Sequence, residues 1–207
     1  MIRVITISRE YGGGGESVGR LLADRLGWRL LDRDLLDEVA RAANVEPKIV
    51  ERYDECIDGW LHRLTKQTLR HGSPDRPTHL GETDLFDAET MVAVGRGVIE
   101  EAARIGDCVV VGRGAQCILH GRADVFNVFL YAPIKIRMRR VEELLGSRPD
   151  LETVIRESDR SRAGYIRRYF DQDWWNPFLY DLMVNTRHGY EIAAEAVLGA
   201  AGLRAAG

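Results

Sequence analysis

The chain has 207 residues, 45% of them hydrophobic and 29% charged, without a low-complexity tract; this suffices for one globular domain with a real core and argues against disorder. Its net charge of −3 argues against a general nucleic-acid binder, which is normally basic. Positive charge is nonetheless concentrated locally, with ten Lys/Arg against six Asp/Glu in residues 133–170, a balance that suits a small anion better than a long polyanion.

The N-terminal stretch MIRVITISRE turns polar too soon for a signal peptide. Val4-Ile5-Thr6-Ile7 is a β-branched run without alternation, which predicts a buried strand inside a sheet. It breaks at Ser8-Arg9-Glu10-Tyr11 and runs into Gly12, Gly13, Gly14 and Gly15. From Ser17 the spacing of Val18, Leu21, Leu22 and Leu26 predicts a helix, closed by Gly27 as its C-terminal cap. Trp28–Leu31 predicts a second strand ending at Asp32, and Leu35, Leu36, Val39, Ala40 and Ala43 a helix that Asp34 caps. Helical character returns over 46–53 and 56–70, whereas 71–87 carries turn residues and predicts a mobile surface loop. A helix is expected over about 88–104.

Strands follow at 107–111, stopped by Gly112-Arg113-Gly114, and at 125–131, stopped by Ala132-Pro133. Two helices are expected over 134–145 and 149–171, a short strand at 182–185 and a closing helix at 188–200. Alternating strands and helices imply an α/β fold, a parallel sheet of about five strands covered on both faces. Ligands of such sheets lie beyond the carboxyl ends of the strands, here residues 8–15, Asp32, 112–114 and 132–133. No stretch of about 18 apolar residues could span a membrane, so the expected location is the cytoplasm.

A strand, a glycine turn and a helix in succession form an anion cradle: glycines let backbone amides converge on phosphate oxygens, and the helix N-terminus adds partial positive charge. A flexible strand-to-helix turn is the plainer alternative. On the first reading residues 8–17 are a phosphate-binding site, with Arg9, the four glycines, Glu16 and Ser17 on the phosphates. Ser17 falls where a phosphate-binding loop places its Mg²⁺-binding hydroxyl.

The run Ile5-Thr6-Ile7-Ser8-Arg9-Glu10-Tyr11-Gly12-Gly13-Gly14-Gly15-Glu16-Ser17-Val18-Gly19-Arg20 resembles the strand and phosphate loop of the cytidylate kinases, and more closely those of cytidylate-kinase-like proteins. Leu26–Asp32 extends the likeness. Val109-Val110-Val111-Gly112-Arg113-Gly114 is similar to the strand whose Gly-Arg pair faces the acceptor nucleotide, and Ser158-Asp159-Arg160-Ser161-Arg162-Ala163 to the arginine-rich lid. The resemblance implies one P-loop kinase-like domain over 1–207, with an acceptor-side insertion at about 33–88 and a lid at about 147–165. It implies a phosphotransferase using ATP and Mg²⁺ on a nucleoside monophosphate or other small acceptor.

The departures from the family pattern are specific. Gly15 stands where the loop's lysine belongs, and that lysine neutralises the β- and γ-phosphates during transfer. Some arginine must replace it in a working kinase, with Arg160 and Arg162 the expected substitutes and Arg9 and Arg113 further candidates. Glu38 and Gly114 stand where cytidylate kinase carries an arginine and an aspartate, so CMP specificity does not carry over. A nucleotide-binding regulator that lost turnover is the alternative reading, favoured by Gly15.

Arg113, Arg156, Arg160 and Arg162 are the candidate catalytic cations. Arg156 and Arg160 share a helix face and Arg162 points elsewhere; an exposed helix with surface salt bridges to Glu152, Glu157 and Asp159 explains them equally well. Asp32 could hold Mg²⁺ or the acceptor, or cap the next helix. Lys135, Arg137, Arg139 and Arg140 read as a solvated face, with Arg137 the one facing acceptor nucleotide.

His62, His71, His79, His120 and His188 lack ligand spacing and are expected at the surface. Cys56, Cys108 and Cys117 form neither a metal pattern nor a disulfide framework, and Cys108 is expected to be buried. Tyr169-Phe170, Trp174-Trp175 and Phe178-Tyr180 could stack a base, pack beside the last strand, or form a homodimer contact. The expected partner is a small nucleotide, not nucleic acid or membrane.

Overall fold

The computed structural model describes residues 1–32 and 82–204. The chain divides into two compact units, Met1–Asp32 with Ile99–Gly207, and Arg33–Val98. The expected helices at 35–43, 46–53 and 56–70, the Asp34 cap, the loop at 71–81, Glu38, Cys56, His62, His71 and His79 lie outside the described residues.

In the first unit Val4–Arg9 forms β1, followed by α1 (Gly15–Leu26), β2 (Arg29–Leu31), β3 (Cys108–Val111), the short α3 (Ala115–Ile118), β4 (Val125–Tyr131), α4 (Ile134–Leu145), α5 (Leu151–Phe170), β5 (Leu182–Asn185) and α6 (Tyr190–Ala200). Helix α2 (Glu82–Ile105) supplies the described part of the second unit, residues 82–98, while its residues 99–105 belong to the first. Residues 82–87, expected as loop, are therefore helical. The turn-prone Gly81 just precedes them, and Glu82, Thr83 and Asp84 are polar residues suited to a helix's first turn rather than breakers.

The five strands are parallel, in the order β2-β3-β1-β4-β5. β1 is central, as its unalternating apolar run predicts, because both of its faces are covered. Its register sets Ile5 beside Val109 and Ile7 beside Val111 and Val128. These residues form one apolar layer with Val18, Leu22 and Ala23 of α1 and Ala193, Ala194 and Val197 of α6. On the opposite face Phe129 meets Ile166, Trp174, Leu179 and Tyr180.

The ring of Phe129 lies 5.2 Å from that of Trp174 and 5.0 Å from that of Tyr180, in edge-on and tilted geometries that favour aromatic pairs. Of the three roles open to the aromatic cluster, Trp174 and Tyr180 take core packing. Phe178 is 88% exposed. Within the central strands Thr6 Oγ1 donates to Asn127 Oδ1 at 2.6 Å, satisfying both buried groups.

Gly27 caps α1 in the left-handed conformation, with φ of 67°, as expected. Cys108 is buried; His120 and His188 are exposed. Among the described residues no helix is long and apolar enough to cross a membrane.

Because Ile5 is fully buried at the centre of the sheet, Ile5→Ala should cost about 2–5 kcal/mol of stability. Urea titration would measure this; a loss under about 1 kcal/mol would contradict the central position of β1.

Candidate functional site: a braced glycine loop beneath clustered arginines

β1 ends at Arg9, and residues 10–14 turn the chain into α1. Gly14 precedes the helix with φ of 87°, a left-handed conformation that suits glycine. The first helical bond, Val18 N–H to Gly14 O, is 2.9 Å long. The amides of Gly15, Glu16 and Ser17 thus open the helix and have no intrahelical acceptor. This is the geometry of an anion cradle. A Cβ at Gly14 would not enter the cradle, however; it would strike the ring of Tyr190. A larger residue there would disturb the loop's support.

The loop is held from its other side. Thr186, fully buried, donates from Oγ1 to Gly13 O at 2.9 Å. Arg140 donates to Thr186 Oγ1 at 2.9 Å, to Thr186 O at 2.7 Å and to Gly12 O at 3.2 Å, and its guanidinium lies 4.6 Å from the centre of the Tyr190 ring. Arg137, 8% exposed, donates to Asp159 Oδ2 and to Tyr11 O, and its Nε lies 3.4 Å from Glu10 Oε2. The other Asp159 oxygen accepts the Tyr11 amide at 2.8 Å. Burial pushes the Glu10 carboxyl above its ordinary pKa, while Arg137 and the Ala132 amide pull it down.

The basic face of α4 is therefore split: Lys135 and Arg139 are exposed, whereas Arg137 and Arg140 turn under the loop. Arg140 corrects the expectation of a wholly solvated face. Its signal was the three-residue spacing from Arg137, which places both on one side of a helix. Thr186, Tyr190, Glu10 and Tyr11 carried no sequence signal of this role, because their partners lie far away in the chain.

The opposite side of the loop is cationic. Gly112, Arg113 and Gly114, which follow β3, all have left-handed backbones, with φ of 82°, 59° and 71°. For an arginine that conformation is uncommon and costs on the order of 1–3 kcal/mol, the kind of strain found at functional sites. Burial, then repulsion from Arg9, lower the Arg113 pKa to about 10; Arg162 adds to the repulsion, and Tyr165 and Asp32 oppose it. Tyr165 donates its hydroxyl to Arg113 O at 3.5 Å.

Arg162 reaches in from α5, donating to Arg9 O at 3.0 Å with its guanidinium 5.5 Å from the centre of the Tyr11 ring. The side chain of Arg9 runs over the first residue of α1 toward the end of β3: a Cβ at Gly15 would come within 2.6 Å of Arg9 Cγ and 2.9 Å of Cδ, and one at Gly112 would strike Nη1. Arg9, Arg113, Arg162 and Asp32 are thus brought together beside residues 12–17.

The remaining lid arginines sit differently. Arg156 is exposed and pairs with Glu152 at 2.6 Å, the surface salt bridge weighed against its lid role. Arg160 is exposed. Glu16 directly follows Gly15 and faces solvent near Arg20, 3.6 Å away, so Ser17 is the first hydroxyl of α1. Among the described residues no cluster of three His, Cys, Asp or Glu could hold a metal. A Mg²⁺ ion, which keeps several waters and takes phosphate oxygens, does not need one; Ser17 and Asp32 offer hard oxygen donors of the right kind.

Thr186→Val should destabilise the protein by about 1–3 kcal/mol, since it leaves the buried Gly13 carbonyl unpaired, and should weaken pyrophosphate binding. Urea titration and calorimetry would test this; unchanged values in both would show that the brace is idle.

A sequence model of the cytidylate kinase-like family matches residues 4–188. No curated protein matches the chain. Among solved structures, an uncharacterised protein from Eubacterium ventriosum ATCC 27560 superposes with a TM-score of 0.71 at 20% identity, covering 99% of this chain and 100% of that one. Shikimate kinase from Bacteroides thetaiotaomicron gives 0.56 at 16% identity, covering 97% and 98%. Shikimate kinase from Acinetobacter baumannii, in complex with shikimate, gives 0.53 at 18%, covering 96% and 92%. These likenesses show the fold, that of the P-loop kinases. With the match extending over residues 4–188, the chain belongs to the cytidylate kinase-like family.

Proposed function

We propose that the protein is a phosphotransferase that moves the γ-phosphoryl group of ATP to a nucleoside monophosphate or another small acceptor. The observation that carries this reading is the convergence of Arg9, Arg113 and Arg162 at the mouth of the glycine loop. Crowded, partly desolvated guanidinium groups repel one another, and a polyphosphate relieves that repulsion while accepting their hydrogen bonds.

In this reading the amides of Gly15, Glu16 and Ser17 hold the phosphates. Ser17 and Asp32 would hold Mg²⁺, which when bound neutralises charge on the β- and γ-phosphates. Arg113 and Asp32 orient the acceptor beyond the end of β3. Arg162 stabilises the charge that develops in transfer, and Arg160, exposed on the same helix, is a further cation of the lid. The placement of Arg137 beneath the loop favours a supporting role over acceptor contact. As the bond from the β–γ bridging oxygen to the γ-phosphorus breaks, a bond from an acceptor oxygen forms, leaving ADP and the phosphorylated acceptor. Positioning and electrostatics carry such chemistry without a covalent protein intermediate. A cytoplasmic location and a homodimer remain part of the proposal.

A second reading, a nucleotide-binding regulator without turnover, is favoured by one observation, the glycine at position 15. A transfer screen with radiolabelled ATP and Mg²⁺ across nucleoside monophosphates and small alcohols separates the two. Arg162→Ala should lower kcat about 10²-fold or more with only a small change in ATP affinity, because its contacts strengthen as charge develops. Tight ATP binding with no transfer to any acceptor would replace the transferase by the regulator.

A further inference from the structure

The place of the loop lysine is filled in space although it is empty in sequence. A lysine at position 15 would project from the first turn of α1 across the loop, and in this chain the Cγ and Cδ atoms of Arg9 occupy the start of that path. From there the Arg9 side chain continues to the carboxyl end of β3, where Nη1 abuts Gly112. Two glycines therefore flank one arginine: Gly15 beneath its stem and Gly112 beside its head. Either position would meet Arg9 if it carried a side chain. Gly15 has an ordinary backbone conformation, unlike Gly12 and Gly14, so contact with Arg9 rather than chain geometry is what excludes a larger residue.

We propose that Arg9 replaces the phosphate-loop lysine as the cation on the β- and γ-phosphates of a nucleoside triphosphate, and that Gly15 is the complementary half of this exchange. The inference rests on the phosphate-binding reading above and specifies which residue grips the terminal phosphates. It shifts the expected substitution from Arg160 and Arg162 to the end of β1. The cation then comes from the rigid central strand rather than from a helix arriving from outside. Arg162 meets the same strand end through its bond to Arg9 O.

The choice of arginine has a physical reason. Next to Arg113 and Arg162, a lysine would be pressed toward its neutral form, whereas a guanidinium keeps its charge and can present two donors to one phosphate. Gly112 and Gly114, whose left-handed backbones already favour glycine, also leave room for Arg9 and the ring of Phe170 respectively against the strand end.

Calorimetry with the β,γ-imido analogue of ATP and with AMP, on wild type, Arg9→Ala, Gly15→Lys and the double variant, tests the exchange. Arg9→Ala should weaken the analogue about tenfold or more while leaving AMP within about twofold, because a charge-assisted contact to the terminal phosphates alone is lost. Gly15→Lys alone should also weaken the analogue, since the new side chain meets Arg9. The double variant should return to within about threefold of wild type, a coupling that only mutually dependent residues show.

Equal loss for analogue and AMP would overturn the proposal. So would a double variant that melts cooperatively yet binds no better than Arg9→Ala. Should wild type show the expected affinities but transfer phosphate to no acceptor, the transferase reading fails and the role of Arg9 stands. Should wild type not bind the analogue, both fail.

Discussion

Arg137 lies under the glycine loop between Asp159 and Glu10, and the rest of the site depends on that buried charge cluster. The opening amides of α1 have no intrahelical acceptor, so the loop is anchored through its other groups. Arg137 and Asp159 take the carbonyl and amide of Tyr11, and Arg140 with Thr186 takes the carbonyls of Gly12 and Gly13. Forming such a cluster is costly because its ions leave water, but removing one member strands the other at about 3–5 kcal/mol. The loop is thereby locked in one shape.

The brace also explains why α4 and α5 flank the site. Arg137 and Arg140 come from α4, Asp159 and Arg162 from α5. The two helices pack through Val141, Leu151 and Ile155, with Tyr11 against the same cluster. Asp159 and Arg162 are three residues apart on one helix face, so one helix both supports the loop and contributes a cation to its mouth. Apolar packing between helices is thus converted into the position of charges some distance away in sequence.

At the mouth of the loop Arg113, held in a left-handed backbone, is crowded by Arg9 and Arg162, and Arg162 also donates to Arg9 O. A left-handed arginine and like-charge crowding both cost stability. The division follows the chain: Arg137, Arg140 and Thr186 of the support come from segments that follow β4 and β5, and Arg9 and Arg113 of the crowded group end and follow β1 and β3.

The strands and most described helices were legible from periodicity. A parallel sheet leaves apolar runs such as Val4–Ile7 and Val109–Val111 without alternation, and Gly27 marks the end of α1 by a local conformational preference. The glycine loop was legible for the same reason: strand, turn and helix are adjacent in the chain. What the sequence alone could not decide was the direction of long charged side chains. On α4 and α5 the chain offered an exposed salt-bridged face as readily as a site role for several arginines, yet Arg156 pairs with Glu152 in solvent, Arg162 reaches the loop, and Arg137 and Arg140 are drawn beneath it. Residue type and spacing determine which helix face a side chain occupies; only the packing of that helix against a distant segment determines what the face meets. Gly15 shows the same limit, since the atoms filling its missing side chain belong to Arg9, brought there by the turn between β1 and α1.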